Sequence, residues 1–162
     1  LKLKDLFTLA SALTALLAIF FAPINLLYSL VLIAASAFFD KLDGYAARAL
    51  RQSNEFGKQL DSLVDAIAFG AAPAMIVWLT TQNLLGVNVH VLLSSLFYVF
   101  CILVRLANFN LQKQKNYFIG VPSPIGAVLA VAWHYFSAST SWFGLIIIGF
   151  LMVSEFKVKK LF

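Results

Sequence analysis

Four aspartates near the middle of the chain have the residue type and spacing for metal-assisted chemistry. Asp40 and Asp43 are three residues apart, and Asp61 and Asp65 are four residues apart. On α-helices these spacings separate the members of each pair by about 60° and about 40°, so each pair shares a helix face. Carboxylates that face one another repel, and a divalent cation removes that repulsion. Oxygen ligands suit Mg²⁺, Mn²⁺ or Ca²⁺ rather than Zn²⁺, and two such ions about 4 Å apart serve in-line displacement at phosphorus.

The composition puts these aspartates in a membrane protein. Of the 162 residues, 62% are hydrophobic and 12% are charged, whereas soluble domains are about 45–50% apolar and about 25% charged. A soluble globule of this size could not bury so much apolar surface, and the same numbers exclude disorder, collagen, coiled coils and disulfide-stapled folds. An ionised carboxylate in hydrocarbon costs about 3 kcal/mol, so intramembrane aspartates indicate a functional site. We expect one membrane domain over residues 1–162.

Three stretches without Asp, Glu, Lys or Arg define the expected helices. They run from Leu6 to Phe39, from Ala66 to Val104 and from Asn116 to Ser154. One crossing takes about 20 apolar residues, so each stretch predicts a helical hairpin with turn residues near its middle. The aspartate pairs then lie at similar depth on two consecutive antiparallel helices. The prediction is an all-α integral membrane protein with six transmembrane helices, over residues 6–21, 25–51, 57–80, 89–111, 123–137 and 142–157.

Basic residues indicate the orientation. Ten lie at or near one end of the predicted helices, and the three turns at the other end carry none. The positive-inside rule then predicts cytoplasmic termini, with the aspartates near the cytoplasmic face of the cell membrane. The net charge of +5 is mainly a topology signal that could also attract anionic lipids. Basic residues spread over separate loops argue against nucleic acid. We expect no cleavable signal peptide, a packing role for Cys101, and structural roles for His90 and His134.

The aspartates stand within a longer pattern. Residues 40–65 follow D-x-x-D-G-x-x-A-R-x8-G-x3-D-x3-D with every fixed position present. The pattern resembles the signature of the CDP-alcohol phosphotransferases. That resemblance implies a six-helix membrane fold, usually dimeric, with a site open to the cytoplasm. It also implies a reaction that joins an alcohol to the phosphate of a CDP-activated partner and releases CMP.

Further segments resemble the phosphatidylserine synthases of that family. They include Phe69-Gly70, Ala72-Pro73, Arg105-Leu106-Ala107 and residues 118–124. The resemblance implies transfer of the phosphatidyl group from CDP-diacylglycerol to L-serine. The chain departs from that subgroup at Asn108, where a basic residue is frequent, and at Asp5, where many relatives have Asn.

The resemblance also implies roles for individual residues. Asp40, Asp43, Asp61 and Asp65 would hold Mg²⁺ or Mn²⁺, expected as two ions, and Asp65 would also be the general base for the serine hydroxyl. The expected CDP-binding residues are Asp5, Thr8, Gly44, Ala47, Arg48, Asn54 and Gly57. The residues themselves indicate the acceptor site: Arg105 is a charge within the fourth helix, and Asn110 and Ser123 are expected at similar depth to supply hydrogen bonds.

Several alternatives stay open from the residues. Arg105 could be a structural partner of an aspartate, and Ser123 could be a turn residue between two prolines. The small residues beside the aspartates could allow close helix packing or leave room for a ligand. The acceptor could be glycerol 3-phosphate or inositol phosphate, although few basic residues are available for a second phosphate. A cation transporter is a different class, but such sites usually lie near the bilayer midplane.

Overall fold

The computed structural model describes residues 3–49, 55–111, 117–154 and 157–159. Within these ranges the chain forms six helical rods, as predicted, because one rod consists of α3, a π-helical segment over Ala66–Ala71, and α4. A short 3₁₀ turn, Ala138–Thr140, precedes the last helix. The α-helices are α1 (Leu3–Phe21), α2 (Leu26–Ala49), α3 (Glu55–Asp65), α4 (Ala72–Leu85), α5 (Val89–Leu111), α6 (Ser123–Phe136) and α7 (Ser141–Val153).

Two of these rods are long and apolar enough to cross a membrane. They span Phe56–Leu84 and Val89–Asn110, and shorter apolar helices cover Leu6–Phe21 and Ala138–Val153. Large apolar side chains also cover the outside of the fold; Phe20, for example, is 74% exposed. Exposed apolar surface on this scale is unusual for a soluble monomer, and it indicates a membrane protein.

Small and hydroxylated residues bring α1 and α2 together. Ala15 and Ala18 are fully buried on the face of α1 that meets α2. The hydroxyls of Ser11 and Ser36 lie 2.9 Å apart, and the Ser29 hydroxyl donates to the Ala18 carbonyl at 2.7 Å. In lipid, close approach of small residues and hydrogen bonds between helices replace the hydrophobic driving force. This hairpin holds the first aspartate pair on α2.

The rod after Asp65 departs from α-helical bonding. The Ala72 N–H donates to the Ile67 carbonyl, five residues back instead of four. Pro73 follows, and proline has no N–H to give to the carbonyl four residues before it. That carbonyl belongs to Phe69, and it accepts a 2.9 Å hydrogen bond from the hydroxyl of Tyr98 on α5. The sequence analysis predicted one uninterrupted helix over 57–80, so the π-helical segment is a new feature.

A pair of short strands joins the α5–α6 connection to the end of the chain. β1 (Tyr117–Ile119) pairs antiparallel with β2 (Lys157–Lys159), with residue 118 opposite residue 158. The last helix was expected to reach residue 157, but α7 ends at Val153, so that boundary is corrected. The sequence analysis did not predict these strands, because two three-residue segments that are far apart in the chain show no periodic pattern. Gly120 follows β1 at φ 70°, where a Cβ would lie 2.4 Å from the Met152 carbonyl oxygen.

Candidate active site

Three aspartates from two helices meet at one place. Asp40 of α2 and Asp61 and Asp65 of α3 each offer a carboxylate oxygen, and these oxygens lie within 4.8 Å of one another. The side chains of Asp40 and Asp65 are in hydrogen-bonding contact. Two carboxyl groups can approach in this way only with a proton or a cation between them. Of the four aspartates that were expected to face one another, these three lie together.

The donor set of this group fits a divalent cation. The Oδ1 atom of Asp65 is buried and has no hydrogen-bond partner among the described residues. A buried acceptor without a donor is costly, and a cation would satisfy it. Carboxylate oxygens are the ligands that Mg²⁺ and Mn²⁺ prefer. Asp40, Asp61 and Asp65 are accordingly the residues that would hold such an ion.

Asp43 lies one helical turn after Asp40 and has a different partner. Its carboxylate accepts a hydrogen bond from the hydroxyl of Thr8 on α1, and both side chains are buried. Asp43 does not belong to the three-carboxylate group just described. The structure thus joins an expected metal ligand to an expected CDP-binding residue, and the metal role of Asp43 stays a prediction.

Gly44 borders open space. A Cβ at this position would have no heavy atom of the described residues within 4 Å. Gly44 is therefore not a close helix contact, and its lack of a side chain leaves room beside Asp43. Gly57 is buried at the start of α3. The structure does not describe the remaining expected CDP-binding groups. These are the side chains of Asp5, Ala47 and Arg48, whose backbones lie in helices, and the whole of Asn54.

Arg105 faces the aspartates from α5. It interacts electrostatically with Asp65, and its Nη1 donates to the hydroxyl of Ser123 at the start of α6. Its Nε atom is buried without a partner among the described residues. The structure therefore joins two of the three expected acceptor-binding residues by a hydrogen bond, within electrostatic range of Asp65 and with the Arg105 Nε–H unused among the described residues.

Asn110 lies farther along α5 and contacts α3 instead. Its side-chain Nδ2 donates to the hydroxyl of Ser62 at 3.0 Å. Ser62 is the residue after Asp61, so Asn110 is tied to the helix that carries two of the aspartates. Asn110 therefore has a different partner from the other two expected acceptor-binding residues, Arg105 and Ser123, which bond to each other.

The comparison with protein families decides the identity of this fold. The family model described as CDP-alcohol phosphatidyltransferase matches residues 2–156. The chain belongs to this family. Its members are phosphotransferases that generally depend on a divalent metal, in keeping with the cluster of carboxylates.

Similar members of the family carry one name. The chain is 36% identical to a protein of Methanocaldococcus jannaschii over 99% of this chain and 75% of that one. It is 34% identical to a protein of Helicobacter pylori, over 94% and 70% of the two chains. It is 33% identical to a protein of Bacillus subtilis, over 93% and 85%. Each relative is named CDP-diacylglycerol–serine O-phosphatidyltransferase.

Within this family fold, the sequence analysis missed three partnerships. It did not predict the bond from Thr8 to Asp43, the bond from Asn110 to Ser62, or the role of Tyr98. Pro73, a proline inside an apolar helix, was a detectable signal for the bond from Tyr98. A proline has no N–H, so the carbonyl four residues earlier requires another donor. The identity of that donor depends on which face of α5 meets the rod.

Proposed function

We propose that the protein transfers the phosphatidyl group from CDP-diacylglycerol to L-serine and releases CMP. The observation that carries this proposal is the group of Asp40, Asp61 and Asp65, with the guanidinium of Arg105 within electrostatic range of Asp65. Carboxylates supply a metal site for the diphosphate, and the cation supplies a site for an anionic acceptor. The names of the relatives support serine as that acceptor.

Asp40, Asp61 and Asp65 would hold Mg²⁺ or Mn²⁺, and Asp43 would complete a site for a second ion. A bound divalent ion supplies charge stabilisation at the diphosphate and at the CMP leaving group. The open space at Gly44 gives the CDP moiety room to approach the helix. Thr8 orients Asp43 through their hydrogen bond.

Asp65 is the proposed general base. A free hydroxyl is a weak nucleophile, and a positioned carboxylate contributes about 10²–10⁴-fold to its activation. One carboxylate oxygen of Asp65 takes the proton of the serine hydroxyl. The serine oxygen bonds to the phosphorus of the phosphatidyl group, and the bond from that phosphorus to the CMP oxygen breaks.

Arg105 is the proposed ligand of the serine carboxylate. Ser123 holds Nη1, which leaves Nε to donate to an anion, and charge-assisted bonds of this kind are the stronger ones. Glycerol 3-phosphate and inositol phosphate would bring a second phosphate with more charge to neutralise. One guanidinium suits a single carboxylate better than a phosphate dianion.

We also propose that all six rods cross the membrane, with both termini and the carboxylate group at the cytoplasmic face. This follows from the positive-inside rule applied to the basic residues. The homodimer implied by the family resemblance remains a prediction.

The test is CMP release from CDP-diacylglycerol by purified protein in detergent, with Mg²⁺ or Mn²⁺ and with a chelator as the blank. L-serine, glycerol 3-phosphate and inositol phosphate are offered separately, and mass spectrometry identifies the lipid product. Of the three acceptors, we expect only L-serine to give metal-dependent CMP release, with phosphatidylserine as the lipid product. CMP release with another acceptor only would overturn serine as the substrate. No metal-dependent release with any acceptor would overturn the proposed reaction, and cation flux in liposomes would then be measured.

A further inference from the structure

The backbone after Asp65 contains a carbonyl that requires a hydrogen-bond donor from another helix. The π-helical segment begins at the next residue, and Pro73 cannot donate to the Phe69 carbonyl. Phe69 is fully buried, so water cannot reach its carbonyl. In an apolar interior every backbone carbonyl requires a donor from within the protein.

Tyr98 supplies that donor. Its side chain is fully buried, and its hydroxyl donates to the Phe69 carbonyl at 2.9 Å. One helical turn further along α5, Ile102 packs on Gly70, where a Cβ would lie 3.3 Å from Ile102 Cγ2. The polar contact and the close approach together fix α5 against the π-helical segment.

The same face of α5 carries Arg105. Tyr98 and Arg105 are seven residues apart, which is about two helical turns, so their side chains project in nearly the same direction. Tyr98 meets the backbone four residues after Asp65, and Arg105 interacts with Asp65 itself. One hydrogen bond therefore links the backbone that follows the proposed base to the helix that carries the proposed acceptor ligand.

We propose that Tyr98 is a positioning residue for the transfer reaction. Its hydroxyl sets the register of α5 on the π-helical segment, and this register sets the gap between the Asp65 carboxylate and the Arg105 guanidinium. The acceptor binds in that gap, so the inference rests on the proposed function. Tyr98 itself does not touch the acceptor.

The first test is Tyr98→Phe, which removes the hydroxyl and keeps the ring. We expect the KM for the acceptor to rise about 5- to 20-fold with a fall in kcat, because small misplacements of reacting groups are costly. The KM for CDP-diacylglycerol and the Mn²⁺ concentration for half-maximal rate should change less than about twofold, because those groups lie on α2 and α3 and the Asn110–Ser62 bond between α5 and α3 is kept.

Ser29→Ala is the matched control. It also removes a buried hydroxyl that donates to a carbonyl of another helix, here at 2.7 Å, and it lies in the hairpin of α1 and α2 away from the aspartates. We expect its acceptor KM to stay within about twofold of the wild-type value. An acceptor KM for Tyr98→Phe that matches the control would overturn the proposal, as would equal rises for the acceptor, CDP-diacylglycerol and Mn²⁺.

A second readout needs no turnover. Asp65→Cys and Arg105→Cys are combined in a Cys101→Ser background, and the rate of disulfide formation is compared with and without Tyr98→Phe. We expect the rate to change several-fold when the hydroxyl is absent, and equal rates would overturn the inference. Failure of serine in the wild-type assay overturns only the proposed substrate. The kinetic test of Tyr98 then uses the acceptor that the wild-type protein does accept. If the wild-type protein accepts none, the disulfide rates alone test the role of Tyr98.

Discussion

The hydroxyl of Thr8 on the first helix donates a hydrogen bond to the carboxylate of Asp43 on the second. Both residues are buried, and they are 35 positions apart in the sequence. The bond fixes the orientation of one carboxylate next to the group formed by Asp40, Asp61 and Asp65. Groups that orient metal-ligating carboxylates influence metal affinity nearly as strongly as the ligands do.

Thr8→Val should therefore weaken metal activation. The substitution keeps the shape of the side chain and removes the donor, so the Mn²⁺ concentration for half-maximal CMP release should rise about 10-fold. Thr8→Ser keeps the hydroxyl and should stay close to the wild-type value. Metal titrations of the three proteins in one detergent provide the measurement. Equal midpoints for the valine and serine variants would show that the hydroxyl does not support the metal site.

Asp65→Asn should separate metal binding from catalysis. The amide keeps one oxygen ligand but cannot accept the proton of the acceptor hydroxyl, so kcat should fall about 10²–10⁴-fold. Asp40 and Asp61 should still bind Mn²⁺, as measured by electron paramagnetic resonance. Retained CMP release would remove Asp65 as the general base, and loss of Mn²⁺ binding would assign it a ligand role alone.

The helices and the aspartate group could be predicted from the sequence for simple physical reasons. Charges are absent from three long apolar stretches, and their absence marks where the helices run. The D-x-x-D and D-x3-D spacings put two carboxylates on one face of consecutive helices. Antiparallel connection then brings Asp40 close to Asp61 and Asp65, whereas Asp43 bonds to Thr8.

The partners of these residues could not be predicted, because they depend on which helix faces meet. The contact of Thr8 with Asp43 depends on which face of α1 packs against α2, where Ala15 and Ala18 are buried. The bond from Tyr98 to the π-helical segment depends likewise on the rotation of α5. Periodicity shows that a helix has an apolar face, but it does not give the neighbour of each residue.

Arg105→Gln should damage acceptor binding. It removes the charge that faces Asp65 and keeps a polar side chain, so the KM for L-serine should rise about 10- to 100-fold, the range for loss of a hydrogen bond to a charged group. The KM for CDP-diacylglycerol should change much less. Ser123→Ala, which releases Nη1 without removing the charge, should have a smaller effect. An unchanged serine KM in Arg105→Gln would give Arg105 a structural role.

A buried histidine in the fold, away from the aspartates, provides a test of stability alone. His134 is fully buried, and its Nε2 lies 2.6 Å from the hydroxyl oxygen of Thr80. Because that hydroxyl donates to the Ile76 carbonyl at 2.6 Å, we assign the imidazole the tautomer whose Nε2–H donates to the Thr80 oxygen. Thr80→Val leaves this N–H without a partner and should lower the free energy of unfolding by about 1–3 kcal/mol.

The control for this prediction is Thr14→Val, because the Thr14 hydroxyl bonds only to carbonyls of its own helix among the described residues. We expect the control to lose less than about 0.5 kcal/mol, since exchange of a hydroxyl already bonded within its helix leaves no buried donor unpaired. Denaturant unfolding in detergent, followed by circular dichroism, measures both variants. At a temperature where both are folded, CMP release should match the wild-type protein, because the carboxylate group is not touched. Equal unfolding energies for Thr80→Val and Thr14→Val would show that the imidazole finds another acceptor. Lost activity in a folded Thr80→Val would connect this buried pair to the reaction.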